Sequence, residues 1–138
     1  MFKMTCLWSK KYIYFVCVKE KIELELLNVS QGYSSQHSYA IVLGEVNGVR
    51  RLPIVILMAY DHTVSSRPFT HDLLKNIFDT FDIVLKEVVI NKLYEGIFYS
   101  NLVCIANGET YEIDSRTSDA VAMAVRQNVP IFIDEEIM

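Results

Sequence analysis

Two Asn-Gly dipeptides, Asn47-Gly48 and Asn107-Gly108, stand sixty residues apart, each between short apolar runs. Asn-Gly accepts the positive φ angles of a type I′ turn, so each pair predicts a β-hairpin. The flanking runs are Tyr39 to Leu43 and Arg51 to Ile56 in the first case, and Ile97 to Val103 and Thr110 to Ile113 in the second. Under the same shift Tyr39 falls on Tyr99, Leu43 on Val103 and Val29 on Val89, with no gap across the hairpin. A further strand candidate precedes each hairpin, at Ile22 to Val29 and at Val88 to Ile90. The pattern predicts an α+β fold with mixed sheet(s), from a degenerate duplication of a three-strand-plus-helix unit, with helices packed against the strands. The identities under the shift are few, and any two Asn-Gly hairpins share some likeness.

Helical signals alternate with the strands. Ser118 to Gln127 is rich in Ala, Val and Met, with Thr117 or Ser118 as N-cap, Asp119 in the first turn, and Asn128 and Pro130 as stops. Its counterpart in the first unit, Leu57 to Ser66, is a weak helix former. Between the units, Asp72 to Phe81 predicts a helix capped by Thr70. Its stripe Leu73, Leu74, Ile77, Phe78 and Phe81 reads as core. Val129 to Ile133 closes as a short strand, and Asp134-Glu135-Glu136 predicts an exposed acidic end.

Composition narrows the class. The 138 residues are enough for one domain with its own core, and 51% hydrophobic against 22% charged residues argues against disorder. Mean hydropathy of +0.22 is high for a small chain and suggests burial between subunits. Three cysteines without CxxC spacing and three scattered histidines argue against a disulfide framework or structural zinc, and fit a reducing cytoplasm. A net charge of −4 is wrong for nucleic-acid binding by phosphate neutralisation alone, yet compatible with a carboxylate site that borrows positive charge from a metal. The basic pairs Lys10-Lys11 and Arg50-Arg51 read as solvated faces. Residues 1–20 hold the apolar run Tyr12 to Val18, too short to span a bilayer and without a cleavage site for export. They read as an extension, as an edge strand or as disorder, ahead of a domain over 21–138.

Chemistry concentrates in two places. Arg67-Pro68-Phe69-Thr70-His71-Asp72 and Asp114-Ser115-Arg116-Thr117-Ser118-Asp119 each gather Arg, Asp and hydroxyl residues at the apparent start of a helix, where unpaired N–H groups and a positive dipole end can hold an anion. Asp72, Asp114 and Asp119 can carry Mg2+ or Mn2+, which prefer oxygen ligands. His71 can act as acid or base near neutral pH, alongside those carboxylates as the catalytic set. Arg67, Arg116 and Thr70 can bind phosphate. The bland alternatives stand beside each: helix first turns favour acids for dipole reasons alone, and Arg116 and Asp114 can pair with each other. Glu95-Gly96 reads as a hairpin turn. Tyr94, Phe98 and Tyr99 allow base stacking, but sheet packing explains aromatic strands better.

Arg51-Leu52-Pro53-Ile54-Val55-Ile56, Arg67 through Leu73, Glu95-Gly96-Ile97-Phe98-Tyr99, Asp114 through Arg126, Val129-Pro130-Ile131-Phe132 and Glu135-Glu136-Ile137 together resemble the hallmark motifs of the bifunctional nuclease domain family, in the family's order and across 21–138. The resemblance implies an α+β fold, a homodimer, and nuclease activity on DNA and RNA. One stretch departs from the family pattern. Leu57-Met58-Ala59-Tyr60-Asp61-His62 replaces an Ile-Gly-acidic-Ala segment and its longer helix, leaving Asp61 as the candidate acidic residue. Two functions follow. One is a nuclease of low sequence selectivity that depends on a divalent metal. The other is a non-enzymatic homodimeric module that binds a partner protein or an anionic ligand.

Overall fold

Asn107 and Gly108 adopt φ of 52° and 80°, the left-handed pair that a type I′ turn requires. They join β7 (Ile97–Ala106) to β8 (Glu109–Arg116) with two residues between the strands. Glu95 and Gly96 do the same, at 49° and 78°, between β6 (Val84–Tyr94) and β7. The Asn47-Gly48 turn differs. Neither residue has a positive φ, and the connection between β4 (Tyr39–Glu45) and β5 (Arg51–Ile56) is longer. Here the Glu45 carboxylate organises the loop, accepting from the Arg50 backbone N–H at 3.0 Å and from Arg50 Nε at 2.7 Å. Gly48 packs against that carboxylate so closely that a Cβ would overlap it.

The computed structural model describes residues 3–9, 12–18, 20–31, 39–56 and 67–138. The expected helix over 57–66, Asp61 and the Lys10-Lys11 pair lie outside them. The remaining elements are β1 (Lys3–Ser9), β2 (Tyr12–Val18), β3 (Lys21–Gln31), α1 (Thr70–Thr80), α2 (Thr117–Gln127), β9 (Ile131–Asp134) and a 3-10 turn at Glu135–Ile137. β1 and β2 pair antiparallel in a separate two-stranded sheet, so the partner of Tyr12–Val18 is Lys3–Ser9 and not a strand of the large sheet. The large sheet has the order β5-β4-β3-β9-β6-β7-β8. It is mixed, because β9 runs antiparallel to β3 and parallel to β6. No helix among the described residues is long and apolar enough to cross a membrane.

Registers in the two halves coincide under the sixty-residue shift. Tyr39 faces Ile56 and Tyr99 faces Arg116; Ser30 faces Ala40 and Ile90 faces Ser100. A bulge interrupts β3 between Leu26 and Asn28, and another interrupts β6 between Leu85 and Glu87.

α2 touches β6, β7, β8 and also β5, at the opposite end of the strand order. Seven strands laid flat span about 29 Å, whereas an eleven-residue helix is only about 16 Å long. The sheet must therefore curl around α2. Sequence and burial agree: Ala120, Val121, Ala122, Met123 and Ala124 are all buried, as a helix apolar on every side requires. Asn128, at φ 52°, ends α2 in the left-handed conformation, and the Val129 N–H returns to the Ala124 carbonyl at 3.0 Å.

α1 packs beside α2 and against β6, and it corrects the expected stripe. Phe78 is buried and Leu74 packs against the core, but Leu73, Ile77 and Phe81 are exposed. They follow one another at four-residue spacing and form a second, outward apolar stripe. The C-terminus corrects a second expectation. Asp134 is buried, and Arg50 Nη1 and Nη2 grip both Glu135 oxygens at 3.2 and 3.1 Å, so neither that acidic end nor Arg50 is a plain solvated face. The Glu135 and Glu45 carboxylates together raise the Arg50 pKa above its ordinary value.

Candidate active site

The helix starts are built differently from a simple hydroxyl cap. Thr70 and Thr117 are the first residues of α1 and α2, and Phe69 and Arg116 occupy the N-cap positions without side-chain caps. Asp72, three residues on, reaches back and accepts from the Phe69 N–H at 3.0 Å. Thr117 is buried and donates to the Phe98 carbonyl at 3.1 Å. Its hydroxyl also lies 2.6 Å from buried Ser100 Oγ. A hydroxyl has one proton, so Ser100 donates to Thr117. The pair anchors the start of α2 to β7.

With both helices fixed, their first turns meet. His71 Nε2 lies 3.1 Å from Asp119 Oδ1. Arg116 brings Nε to 2.8 Å of Asp119 Oδ2 and Nη2 to 3.2 Å of Oδ1. Burial opposes ionisation of Asp119, but hydrogen bonds from Arg116 and His71 outweigh it and hold the carboxyl below the usual aspartate range. The same contact raises the Arg116 pKa. A second tether joins the helices, with Arg126 Nε 2.9 Å from Asp72 Oδ1. Arg126 and the Phe69 N–H hold the Asp72 carboxyl below its ordinary value.

Between the helices and the sheet opens a cleft of about 450 Å³. Leu74 and Phe78 of α1, Leu102 of β7 and Ile113 of β8 supply its apolar lining. Thr70, His71, Asp114, Ser115, Arg116 and Asp119 supply the polar groups. The two acidic–basic segments thus share one pocket and touch through His71 and Asp119. Five of the seven expected residues line it: Thr70, His71, Asp114, Arg116 and Asp119. Asp72 and Arg67 do not; Asp72 is turned to Arg126 and the α1 cap. Asp114 and Ser115 belong to strand β8 and not to the helix start.

This geometry tests the expected metal site. Among the described residues no group of three or more His, Cys, Asp or Glu gathers to hold an ion. Asp72 is tied to Arg126, and both Asp119 oxygens are engaged by Arg116, with His71 also on Oδ1. Asp114 has no hydrogen-bond or ion-pair partner among the described residues, and alone it makes no cage. The three-carboxylate set does not fit a resident Mg2+ or Mn2+. Sequence reasoning also missed the apolar lining and Ser115. Ile113 and Ser115 were legible only as alternate residues once β8 was extended past Ile113.

A family model described as bifunctional nuclease domain matches residues 41–138. The chain belongs to the bifunctional nuclease domain family. The match spans the whole cleft, from α1 to α2. Among curated proteins, two uncharacterized proteins from two strains of Mycobacterium tuberculosis are each 35% identical over 111 residues, which is 75% of this chain and 66% of theirs. Bifunctional nuclease 2 of Oryza sativa subsp. japonica is 32% identical over 93 residues, 64% of this chain and 29% of that protein. The chain therefore spans about two thirds of the mycobacterial relatives and under a third of the rice bifunctional nuclease.

Proposed function

We propose that the chain hydrolyses phosphodiester bonds in DNA and RNA, with low sequence selectivity, at the cleft between α1, β8 and α2. The carrying observation is the His71–Asp119–Arg116 cluster at that cleft, in a chain of the bifunctional nuclease domain family. Asp119 is ionised and can only accept, so a neutral His71 keeps its proton on Nε2 and leaves Nδ1 as the base. Nδ1 takes a proton from a water as the water oxygen attacks phosphorus and the bond to the leaving oxygen breaks. The imidazolium so formed is stabilised by Asp119 and returns its proton to the leaving oxygen. Arg116 offsets charge on the phosphoryl oxygens, and the Thr70 and Ser115 hydroxyls donate to them. The apolar lining lowers the local dielectric and strengthens these contacts.

The homodimer is supported by the outward stripe Leu73, Ile77 and Phe81, which a second copy can cover. The register coincidence between the two meanders supports their origin by duplication.

The test is cleavage of labelled DNA and RNA by the purified chain, its His71→Asn and its Asp119→Asn variants, all checked for equal folding by circular dichroism. Loss of a positioned acid–base group typically costs about 10²- to 10⁴-fold. His71→Asn is expected in that range and Asp119→Asn at its lower end. Equal activity in all three proteins would sink the reading and leave the non-enzymatic module. Parallel assays with Mg2+, with Mn2+ and with chelator decide metal dependence.

A further inference from the structure

Tyr94 and Tyr99 do not pack into the core, as aromatic strand residues ordinarily do. They are 52% and 36% exposed, whereas their neighbour Phe98 packs inward. Between them stands Lys92, whose Nζ lies 5.0 Å from the Tyr94 ring centre and 5.3 Å from that of Tyr99. Cation–π attraction at these distances holds the two rings around one ammonium.

The registers carry this group to the rim of the cleft: it lies on the sheet face opposite Leu102, Ile113 and Ser115 and meets the cleft only at Arg116. Lys92 faces Tyr99 across β6 and β7, and Tyr99 faces Arg116 across β7 and β8. Directly opposed residues point to the same sheet face, about 5 Å apart. Tyr94, two residues beyond Lys92, shares that face. The row Lys92–Tyr99–Arg116 thus crosses three strands and ends on the arginine that lines the cleft. Rings alternate with cations along it: Tyr94, Lys92, Tyr99, Arg116. Single-stranded nucleic acid presents the complementary alternation, with flat bases for the rings and phosphates for the cations. A duplex hides its base faces in the stack and cannot use the tyrosines.

We infer that the Tyr94–Lys92–Tyr99 platform at the β6–β7 hairpin is a single-strand binding surface, which stacks unpaired bases and delivers the chain to Arg116. The inference rests on the nuclease reading for its purpose, but not for its test. The net charge of −4 fits it, because stacking, and not phosphate neutralisation, must then carry the affinity.

Binding is measured by fluorescence anisotropy on the full chain carrying His71→Asn, with labelled oligothymidylate, oligouridylate and a DNA duplex as probes. The single strands are expected to bind more tightly than the duplex. Tyr94→Ala and Tyr99→Ala should each weaken binding about tenfold, the effect of losing one stacked base. Tyr94→Phe and Tyr99→Phe keep the ring and should bind as the parent does. Tyr111→Ala, on the opposite face of β8, should change nothing. Two cations predict a shallow salt dependence, with log K against log salt sloping about −1.4. Unchanged affinity in both alanine variants, duplex bound as tightly as single strand, or no binding to any probe would each overturn the inference. The two readings can fail separately. Cleavage with wild-type KM in Tyr94→Ala and Tyr99→Ala removes the platform and spares the nuclease; platform-dependent binding without cleavage by the wild type does the reverse.

Discussion

His71 Nε2 lies 3.1 Å from Asp119 Oδ1, joining the first turns of two helices across 48 residues of sequence. Asp119 stays ionised because Arg116 and His71 outweigh its burial, so this contact fixes the histidine tautomer. Neutral His71 is expected as the Nε2–H form, visible in long-range 15N–1H correlation spectra above the histidine titration. In Asp119→Ala the tautomer preference should relax toward a mixture. An Nδ1–H form in the wild type would remove the base assigned above.

Acid should unfold the protein partly through Asp72 and Asp119. Both carboxyls are held below their ordinary values, Asp72 chiefly by Arg126 and Asp119 by Arg116 and His71 against its burial. For a depressed folded pKa, the stabilisation is complete above the unfolded value of about 3.9 and is lost as pH falls through the folded value. Asp72→Asn is therefore expected to have a lower Tm than wild type at pH 7. The two Tm curves should converge as pH drops below about 4. A constant offset from neutral pH to strong acid would show that the Arg126 contact contributes nothing through charge.

The Ser100–Thr117 pair predicts an order of costs. Ser100→Ala leaves Thr117 donating to the Phe98 carbonyl, and should cost about 1 kcal/mol. Thr117→Val keeps the shape but strands the Ser100 hydroxyl in a buried site and takes a donor from that carbonyl, at about 1–3 kcal/mol. The double variant should cost less than the sum, since removing Ser100 removes one stranded group. Urea denaturation of the three variants checks this; Ser100→Ala as the costlier single change would reverse the assigned donor direction.

Much of the fold was legible because its signals are local. Turn residues and β-branched runs marked both hairpins, and the Ala-rich stretch with its Asn-Pro stop marked α2. What sequence could not show was decided by distant partners. β6 extends from Val84 to Tyr94, well beyond the expected Val88 to Ile90, because bulges let polar Lys86, Glu87, Asn91 and Lys92 fit a paired strand. Thr70 and Thr117 looked like caps, but Thr117 spends its hydroxyl on β7, and Asp72 of α1 holds the Phe69 N–H. Asp72 looked like a ligand, yet Arg126 claims it from 54 residues away. The convergence of His71 and Asp119 needed α1 to pack beside α2, which no local pattern encodes.

The same dipeptide also does different physical work at its two positions, and glycine replacements should separate them. Gly108 sits at φ +80° with nothing near a prospective Cβ, so Gly108→Ala costs backbone strain alone, about 1–2 kcal/mol. Gly48 has no positive φ; its Cβ would overlap the Glu45 carboxylate and push it off Arg50. Shortening Glu45 to Ala should therefore abolish most of the cost of Gly48→Ala while leaving that of Gly108→Ala intact. The asparagines follow the same logic: Asn107, at φ 52°, should resist replacement by Ala more than Asn47 does. Denaturant midpoints of the five singles and the two glycine–Glu45 doubles decide the matter. A Gly48→Ala cost that survives Glu45→Ala would mean that the first turn, like the second, depends on backbone conformation and not on the room Gly48 leaves for a carboxylate.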